Sequence, residues 1–340
     1  VARILPARAA MSQLERRVRS RILGLPFVLT NAATRFEIVG REHLLDALER
    51  RRRSGRGLVT ISNHQSLFDD PLVHMALLGI TDITVETKVW WSTPCRTNFS
   101  PDGDGVRDRF VRWFSEISNM VFFARREKSG LMPVPRRYAD AVAKAGGDLA
   151  ERVHVRAARG DYDVETWLRR FVTPGDPGAM ASLNQAGMVE ACARIELGDW
   201  LHFFPAATRS RGLELGTPKR GVGKALFHSA DAEVIPICFA GMHDVLPIGA
   251  TVPRPLQRVV VHVGEPVPAG TLARIRRGPA SPERIQAMAD AAWQSVAAMW
   301  PDVLRSYLDG RPEHAPAPTP TGPTPPPPRA TPRPSHPRAP

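Results

Sequence analysis

Cysteine is scarce in this chain. Only Cys95, Cys192 and Cys238 occur in 340 residues. An odd, widely spaced set of three builds neither a disulfide framework nor a zinc knuckle, and it suits a reducing compartment. Burial as small apolar side chains is the expected fate of all three. Long apolar runs are also missing. No stretch reaches the roughly 18–20 apolar residues needed to cross a bilayer. The N-terminal candidate, Ile22 to Leu29, is short and holds Pro26. No internal repeat is visible. Acid is outnumbered by base, 34 Asp and Glu against 46 Lys and Arg, for a formal net charge of +12. That imbalance calls for an anionic partner: phosphate, a membrane surface or nucleic acid. No nucleic-acid recognition motif accompanies the charge, so a nucleic-acid role is not expected.

The chain divides by composition. Residues 1–34 combine Arg16, Arg17, Arg19 and Arg21 with the apolar run that follows. They read as a helical interfacial element that rests on lipid. Residues 35–310 alternate strand-like and helix-like stretches, which predicts one α/β domain with a mainly parallel or mixed sheet flanked by helices. Strands are expected at 36–40, 58–62, 81–87, 118–123, 200–204, 234–240 and 259–263. Helices are expected from Glu42 to Arg53, from Pro71 to Leu78 with Gly79 as the stop, from Arg107 to Glu116, from Ser182 to Leu197, and from Lys219 to about Ala230. A further amphipathic helix opens at Ser281-Pro282, with Ile285, Met288, Ala289, Ala292, Val296 and Met299 on one face. Trp90-Trp91-Ser92-Thr93-Pro94 reads as a break in regular structure. Residues 128–180 read as an insertion or cap. Residues 311–340 are Pro, Ala, Thr and Arg-rich and cannot bury a core, so they are expected to be a disordered tail. The tail holds four arginines and one glutamate, so the rest of the chain still carries +9.

The organising stretch runs from Ile61 to Pro71: Ile-Ser-Asn-His-Gln-Ser-Leu-Phe-Asp-Asp-Pro. The apolar run before it predicts a buried strand. Asp70-Pro71 predicts a helix start with an acidic cap. Between the two lie His64 and Asp69. On one straight helix they would point about 140° apart, because each residue turns roughly 100°. They converge only if His64 lies in the turn before the helix. A neutral imidazole held by a carboxylate is a general base for a hydroxyl proton. No serine or cysteine nearby is placed as a covalent nucleophile, so the attacking oxygen would be the substrate's own. The same spacing also allows His64, Asp69 and Asp70 as metal ligands, a set too small to hold a divalent ion without help from elsewhere.

Asn63-His64-Gln65-Ser66, followed by Asp69-Asp70-Pro71, resembles the first motif of the glycerophospholipid acyltransferase superfamily, in its tafazzin-like branch. Three later stretches keep the order of that superfamily's blocks. Arg125, after Val121-Phe122-Phe123-Ala124, resembles the second. Phe204-Pro205-Ala206-Ala207-Thr208-Arg209-Ser210 resembles the third, with Ala206-Ala207 where the pattern has Glu-Gly. Val234-Ile235-Pro236-Ile237 resembles the fourth. Gly241-Met242-His243-Asp244-Val245-Leu246-Pro247 is again tafazzin-like. The resemblance spans about Arg35 to Pro266.

What the resemblance implies is an O-acyltransferase acting on glycerophospholipids at a membrane surface, with the glycerolipid acyltransferase fold. His64 would be the general base and Asp69 its partner, leaving Asp70 as the helix cap. Arg125, Arg209, Thr208 and Lys219 would hold phosphate, and His243 and Asp244 would line the site. The acceptor would be a lysophospholipid and the donor acyl-CoA or another phospholipid. No metal and no tightly bound cofactor would be required, and the expected location is cytoplasmic, peripherally on the membrane. Two alternatives stand beside this: an acyl-CoA-dependent lysophosphatidate acyltransferase, and a non-catalytic lipid-binding homologue, which the Ala206-Ala207 departure suggests.

Overall fold

The computed structural model describes residues 25–86, 90–93, 188, 191–192, 194–196, 198–210, 213–229, 232–250 and 252–309, with the side chains of 80–91 excepted. Val1–Tyr307 form one compact unit, and Leu308–Pro340 form another, of which only Leu308 and Asp309 are described. The expectations for residues 1–24, 107–123, Arg125, the insertion at 128–180 and the tail at 311–340 lie outside the described residues.

In chain order the elements are α1 (residues 25–32), β1 (Arg35–Val39), α2 (Arg41–Ser54), β2 (Leu58–Ser62), α3 (Asp69–Glu86) and β3 (Trp90–Ser92). Then come β4 (Trp200–Phe203), α4 (Arg220–His228), β5 (Glu233–Ala240), α5 (Met242–Val245), β6 (Arg258–Val263), α6 (Ala269–Arg276) and α7 (Pro282–Leu308). Described residues between 188 and 196 are helical as well. The six strands form one sheet in the order β1-β6-β5-β2-β4-β3. Every neighbouring pair is parallel except β5 with β6. The expected α/β class with a mixed sheet is therefore what the chain adopts.

The core explains the order. β2, β4 and nearly all of β5 are buried on both faces, as strands covered by helices on each side must be. Edge strand β1 alternates instead, with Phe36 and Ile38 turned inward. Leu44 and Leu48 of α2, Leu72 and Leu77 of α3, and Leu58, Trp200, Ile235, Phe239 and Val261 of the strands close one continuous apolar cluster. α7 buries Met288, Ala289, Ala292 and Val296 as expected, and adds Trp293, Val303 and Tyr307. Ile285 and Met299 are only half-buried.

Three expectations are corrected. The helix after Pro71 is interrupted at Gly79 as expected, at φ 77° and ψ 166°, but the stretch expected to be a strand forms a second helical segment that runs to Glu86. Trp90–Ser92 is a strand rather than a break, pairing with β4. Asp70 does not cap α3. The first helical bond, Leu72 N–H to the Phe68 carbonyl at 3.0 Å, makes Phe68 the cap, and Asp70 sits inside the first turn.

β2 occupies the middle of the sheet between β4 and β5, all three parallel. Their carboxyl ends share one edge. The Ser62–Phe68 turn, the Phe204–Ser210 loop and the Gly241–Leu246 turn all leave from that edge, which is where sites form on parallel sheets.

Candidate active site

His64 lies in the turn between β2 and α3, where convergence with Asp69 requires it. Its Nδ1 is 2.8 Å from Asp69 Oδ2. The same oxygen accepts the backbone N–H groups of Gln65 at 2.5 Å and Ser66 at 2.9 Å. Asp69 Oδ2 is thus an acceptor for three donors, and Nδ1 of His64 carries the proton. Nε2 keeps its lone pair. The Asp69 side chain is fully buried and that of His64 is 17% exposed. Burial raises the Asp69 carboxyl above the ordinary carboxylate range, and the bonds from His64, Ser66 and Gln65 pull against that rise. The raising cause is visible in the structure: Asp69 Oδ1 is buried with no hydrogen-bond partner among the described residues.

The motif's other polar residues hold the turn in place. Asn63 sends its Nδ2–H to the Phe239 carbonyl at 2.7 Å and accepts the Phe239 N–H at 3.0 Å. Its side chain adds a rung to the β2–β5 ladder while the main chain turns away. Gln65 Oε1 accepts the Met242 N–H at 3.1 Å, and Ser66 Oγ donates to the Leu246 carbonyl at 3.2 Å. The α5 turn receives these contacts because Gly241 sits at φ 105°, where a Cβ would come within 2.2 Å of the Arg258 carbonyl oxygen. Sequence reasoning assigned no role to Asn63, Gln65 or Ser66. Their wording in the motif was the only available signal.

The Phe204–Ser210 loop is tied to the same turn. Ser210 donates its N–H to the His64 carbonyl at 2.8 Å and its Oγ–H at 3.3 Å. The Phe204 ring stacks on the His64 ring, centroids 4.1 Å apart at 25°. A cleft of about 110 Å³ opens beside them, lined by Asn63, His64, Ala206, Thr208, Arg209, Ser210, Glu214, Leu215 and Gly216. Thr208 and Arg209 therefore meet His64 in one cleft. Ala206 is buried, and Ala207 is held at φ 56°, a left-handed conformation that glycine adopts without strain. Ala207, which stands where the motif it resembles has glycine, thus has a backbone conformation suited to glycine.

Other expected residues lie elsewhere. Lys219 is the exposed N-cap of α4, bonded through its backbone N–H to the Pro205 carbonyl at 2.8 Å, and it is not part of the cleft lining. His243 and Asp244 sit on α5 and are half-buried. His243 Nε2 is 3.3 Å from Tyr307 Oη and its Nδ1 is 3.4 Å from Gln65 Oε1. Asp244 accepts the Tyr307 hydroxyl. They join α5 to α7 and are not part of the cleft lining either.

His64, Asp69 and Asp70 do not share a site. Asp70 turns below the turn, where it accepts the Ser92 hydroxyl and lies 3.2 Å from His74 Nδ1. Asp70, His74 and His202 bring one potential metal-ligand atom each within 4.8 Å of one another, all buried. His202, however, has Thr60 Oγ1 2.8 Å from Nδ1 and Ser62 Oγ 3.1 Å from Nε2. A cation there would have to break one of those bonds. Burial raises the Asp70 carboxyl, and the hydrogen bonds from His74 and Ser92 are among the causes that outweigh it and hold the group below the ordinary range.

No family model matches the sequence. Among solved structures, the chain is similar to the 1-acyl-sn-glycerophosphate (LPA) acyltransferase PlsC from Thermotoga maritima. Identity is 15%, the TM-score is 0.48, and the match covers 88% of this chain and 87% of that one. At that level the functional reading is left to the site itself.

Proposed function

We propose that this chain is an O-acyltransferase that moves a fatty acyl group onto a free hydroxyl of a lysophospholipid or related glycerolipid. The observation that carries the proposal is the His64–Asp69 pair, closed at 2.8 Å with Nε2 left as the base, on a cleft that also holds Thr208 and Arg209. In the reaction, Nε2 takes the proton from the acceptor hydroxyl as its oxygen attacks the donor's acyl carbonyl carbon. The carbonyl π electrons move to oxygen. When the tetrahedral intermediate collapses, the bond to the leaving thiolate or alkoxide breaks, and the imidazolium returns its proton to that group. Asp69 stabilises the imidazolium while it exists. Arg209 offers a planar bidentate donor to an acceptor phosphate.

The finer reading is tafazzin-like, with a phospholipid or acyl-CoA as donor and the chemistry at a membrane surface. The basic excess of the sequence supports an anionic surface as the partner. Among the described residues no helix is long and apolar enough to cross a membrane. The test offers a labelled lysophospholipid with acyl-CoA, or with a diacyl phospholipid and no CoA. Product in the second mixture supports the tafazzin-like reading, and product only in the first supports acyl-CoA dependence. His64→Ala should lower transfer by about 10²–10⁴-fold. A wild-type protein that binds lipid and transfers nothing across a broad panel would overturn catalysis in favour of lipid binding alone.

A further inference from the structure

We infer that His202 is a positioning residue for His64, acting through a buried hydrogen-bond relay from Trp200 through Thr60, His202 and Ser62 to the carbonyl of Asn63. The inference rests on the reading of His64 as the base.

Strand geometry assembles the relay. Thr60 pairs with His202 and Leu58 with Trp200 in the β2–β4 register. Alternation therefore puts Thr60, Ser62, Trp200 and His202 on one face. Trp200 and Thr60 are 0% exposed, His202 and Ser62 1%, and Asn63 4%. At such burial every polar hydrogen needs an acceptor.

Placing the protons fixes the direction. Trp200 Nε1 can only donate, and it does so to Thr60 Oγ1 at 2.9 Å. Asn63's carbonyl can only accept, and Ser62 Oγ donates to it at 2.9 Å. Ser62 has then spent its one proton, so at 3.1 Å it must accept from His202 Nε2–H. His202 Nδ1 is left bare and accepts the Thr60 hydroxyl at 2.8 Å. One tautomer, the neutral Nε2–H ring, satisfies all five groups. The opposite tautomer strands the Thr60 proton and leaves the Asn63 carbonyl without Ser62. Charged and titratable groups around the ring are Asp70 and His74 on α3 and His64 in the turn. Burial lowers His202 to about 3, with Asp70 opposing and both other histidines assisting. The ring is neutral across the physiological range.

The relay ends at the peptide bond that carries His64. Asn63's side chain is committed to Phe239, so Ser62 holds the carbonyl that sets the direction in which His64 leaves the main chain. A second contact runs through the rings. His202 meets Phe204 edge-on at 4.6 Å and 83°, and Phe204 stacks on His64.

Two measurements test this. In ¹⁵N-histidine-labelled wild-type protein, the His202 ring should remain a neutral Nε2–H tautomer from pH 8 down to pH 5. A charged ring or an Nδ1–H tautomer overturns the relay whatever the turnover. The second measurement separates its two arms. His202→Gln can present an N–H near the Nε2 position and so keep the arm to Ser62. His202→Asn can present a carbonyl near Nδ1 and keeps only the arm to Thr60. The glutamine variant should stay within about tenfold of wild-type turnover and the asparagine variant should lose about 10²-fold, the scale of a misplaced catalytic group. Acceptor KM should be unchanged in both, and His64 ring resonances should move only with asparagine. Equal losses, losses that follow the melting temperature, or losses in KM would make His202 merely structural and defeat the inference. A wild-type protein with the expected ring and no transfer would defeat the acyltransferase reading and leave the relay standing.

Discussion

Asp69→Asn should slow the proposed acyl transfer and, at neutral pH, leave the fold as stable as before or more so. The rate comes first. Two unit charges about 3 Å apart interact by roughly 5 kcal/mol at an effective dielectric of about 20. Asparagine can keep a neutral hydrogen bond to Nδ1–H, worth about 1 kcal/mol. The transition state, with its imidazolium, would lose about 3–4 kcal/mol, or about 10²–10³-fold in kcat. That loss should not exceed the loss in His64→Ala, because the imidazole remains. Stability runs the other way. Burial raises the folded-state Asp69 carboxyl above its unfolded value. The protonated form's contribution is therefore complete below the unfolded value, near 3.8, and is lost as pH rises through the folded one. At pH 7 the buried carboxylate, with Oδ1 left without a hydrogen bond among the described residues, is a burden that asparagine removes. Thermal melts of both proteins from pH 4.5 to 8 should show the variant gaining on wild type as pH rises, while acyl transfer at pH 7 collapses. A variant that loses ground with rising pH would show that the three donors outweigh burial, and the electrostatic account would be wrong. A variant with wild-type turnover would refute the role given to Asp69.

Two further outcomes follow from other features. Ala207→Gly should stabilise the protein by about 0.5–1 kcal/mol, the left-handed strain of alanine less the extra chain entropy of glycine, read as a higher denaturation midpoint at constant slope; no change would mean that the loop relaxes. The protein should float with anionic vesicles and partly detach at high salt, because exposed charges are screened within about 8–10 Å at moderate ionic strength; binding indifferent to both lipid charge and salt would contradict an electrostatic contribution.

The strands that sequence reveals best are the buried ones. Val59, Ile61, Val234, Ile235 and Val259–Val261 are apolar because both faces of their sheet are covered, and a run of such residues between breakers is visible without a structure. Where several signals conflict, legibility ends. Gly79 does stop the helix that precedes it, but Thr81 to Thr87 alternates and is rich in β-branched residues, which mimics a strand. The structure makes residues 81–86 a second helical segment instead. The antiparallel β6 cannot be distinguished by composition from its parallel neighbours. At the site, His64 and Asp69 were legible because geometry allows five-residue convergence only across a turn. Asp70 was not, because its acidic-proline context signals a cap while its neighbours, Ser92, His74 and His202, come from β3, α3 itself and distant β4. Gln65, His243 and Asp244 show the same limit. Whether a polar group faces a substrate or fastens two elements together depends on what arrives from elsewhere in the chain.

The amide of Asn63, paired with Phe239 across 176 positions of sequence, makes assembly and chemistry answer to one checkpoint. A strand pair that slips by one residue turns every side chain to the wrong face, and the rung nearest the turn is the one a slipped β2 would forfeit first. Chains whose β2 and β5 meet out of register would hold no amide against Phe239 and would aim His64 away from Asp69. Misassembled molecules would thus be inert rather than carelessly reactive, an advantage for a protein whose proposed substrates are membrane-forming lipids.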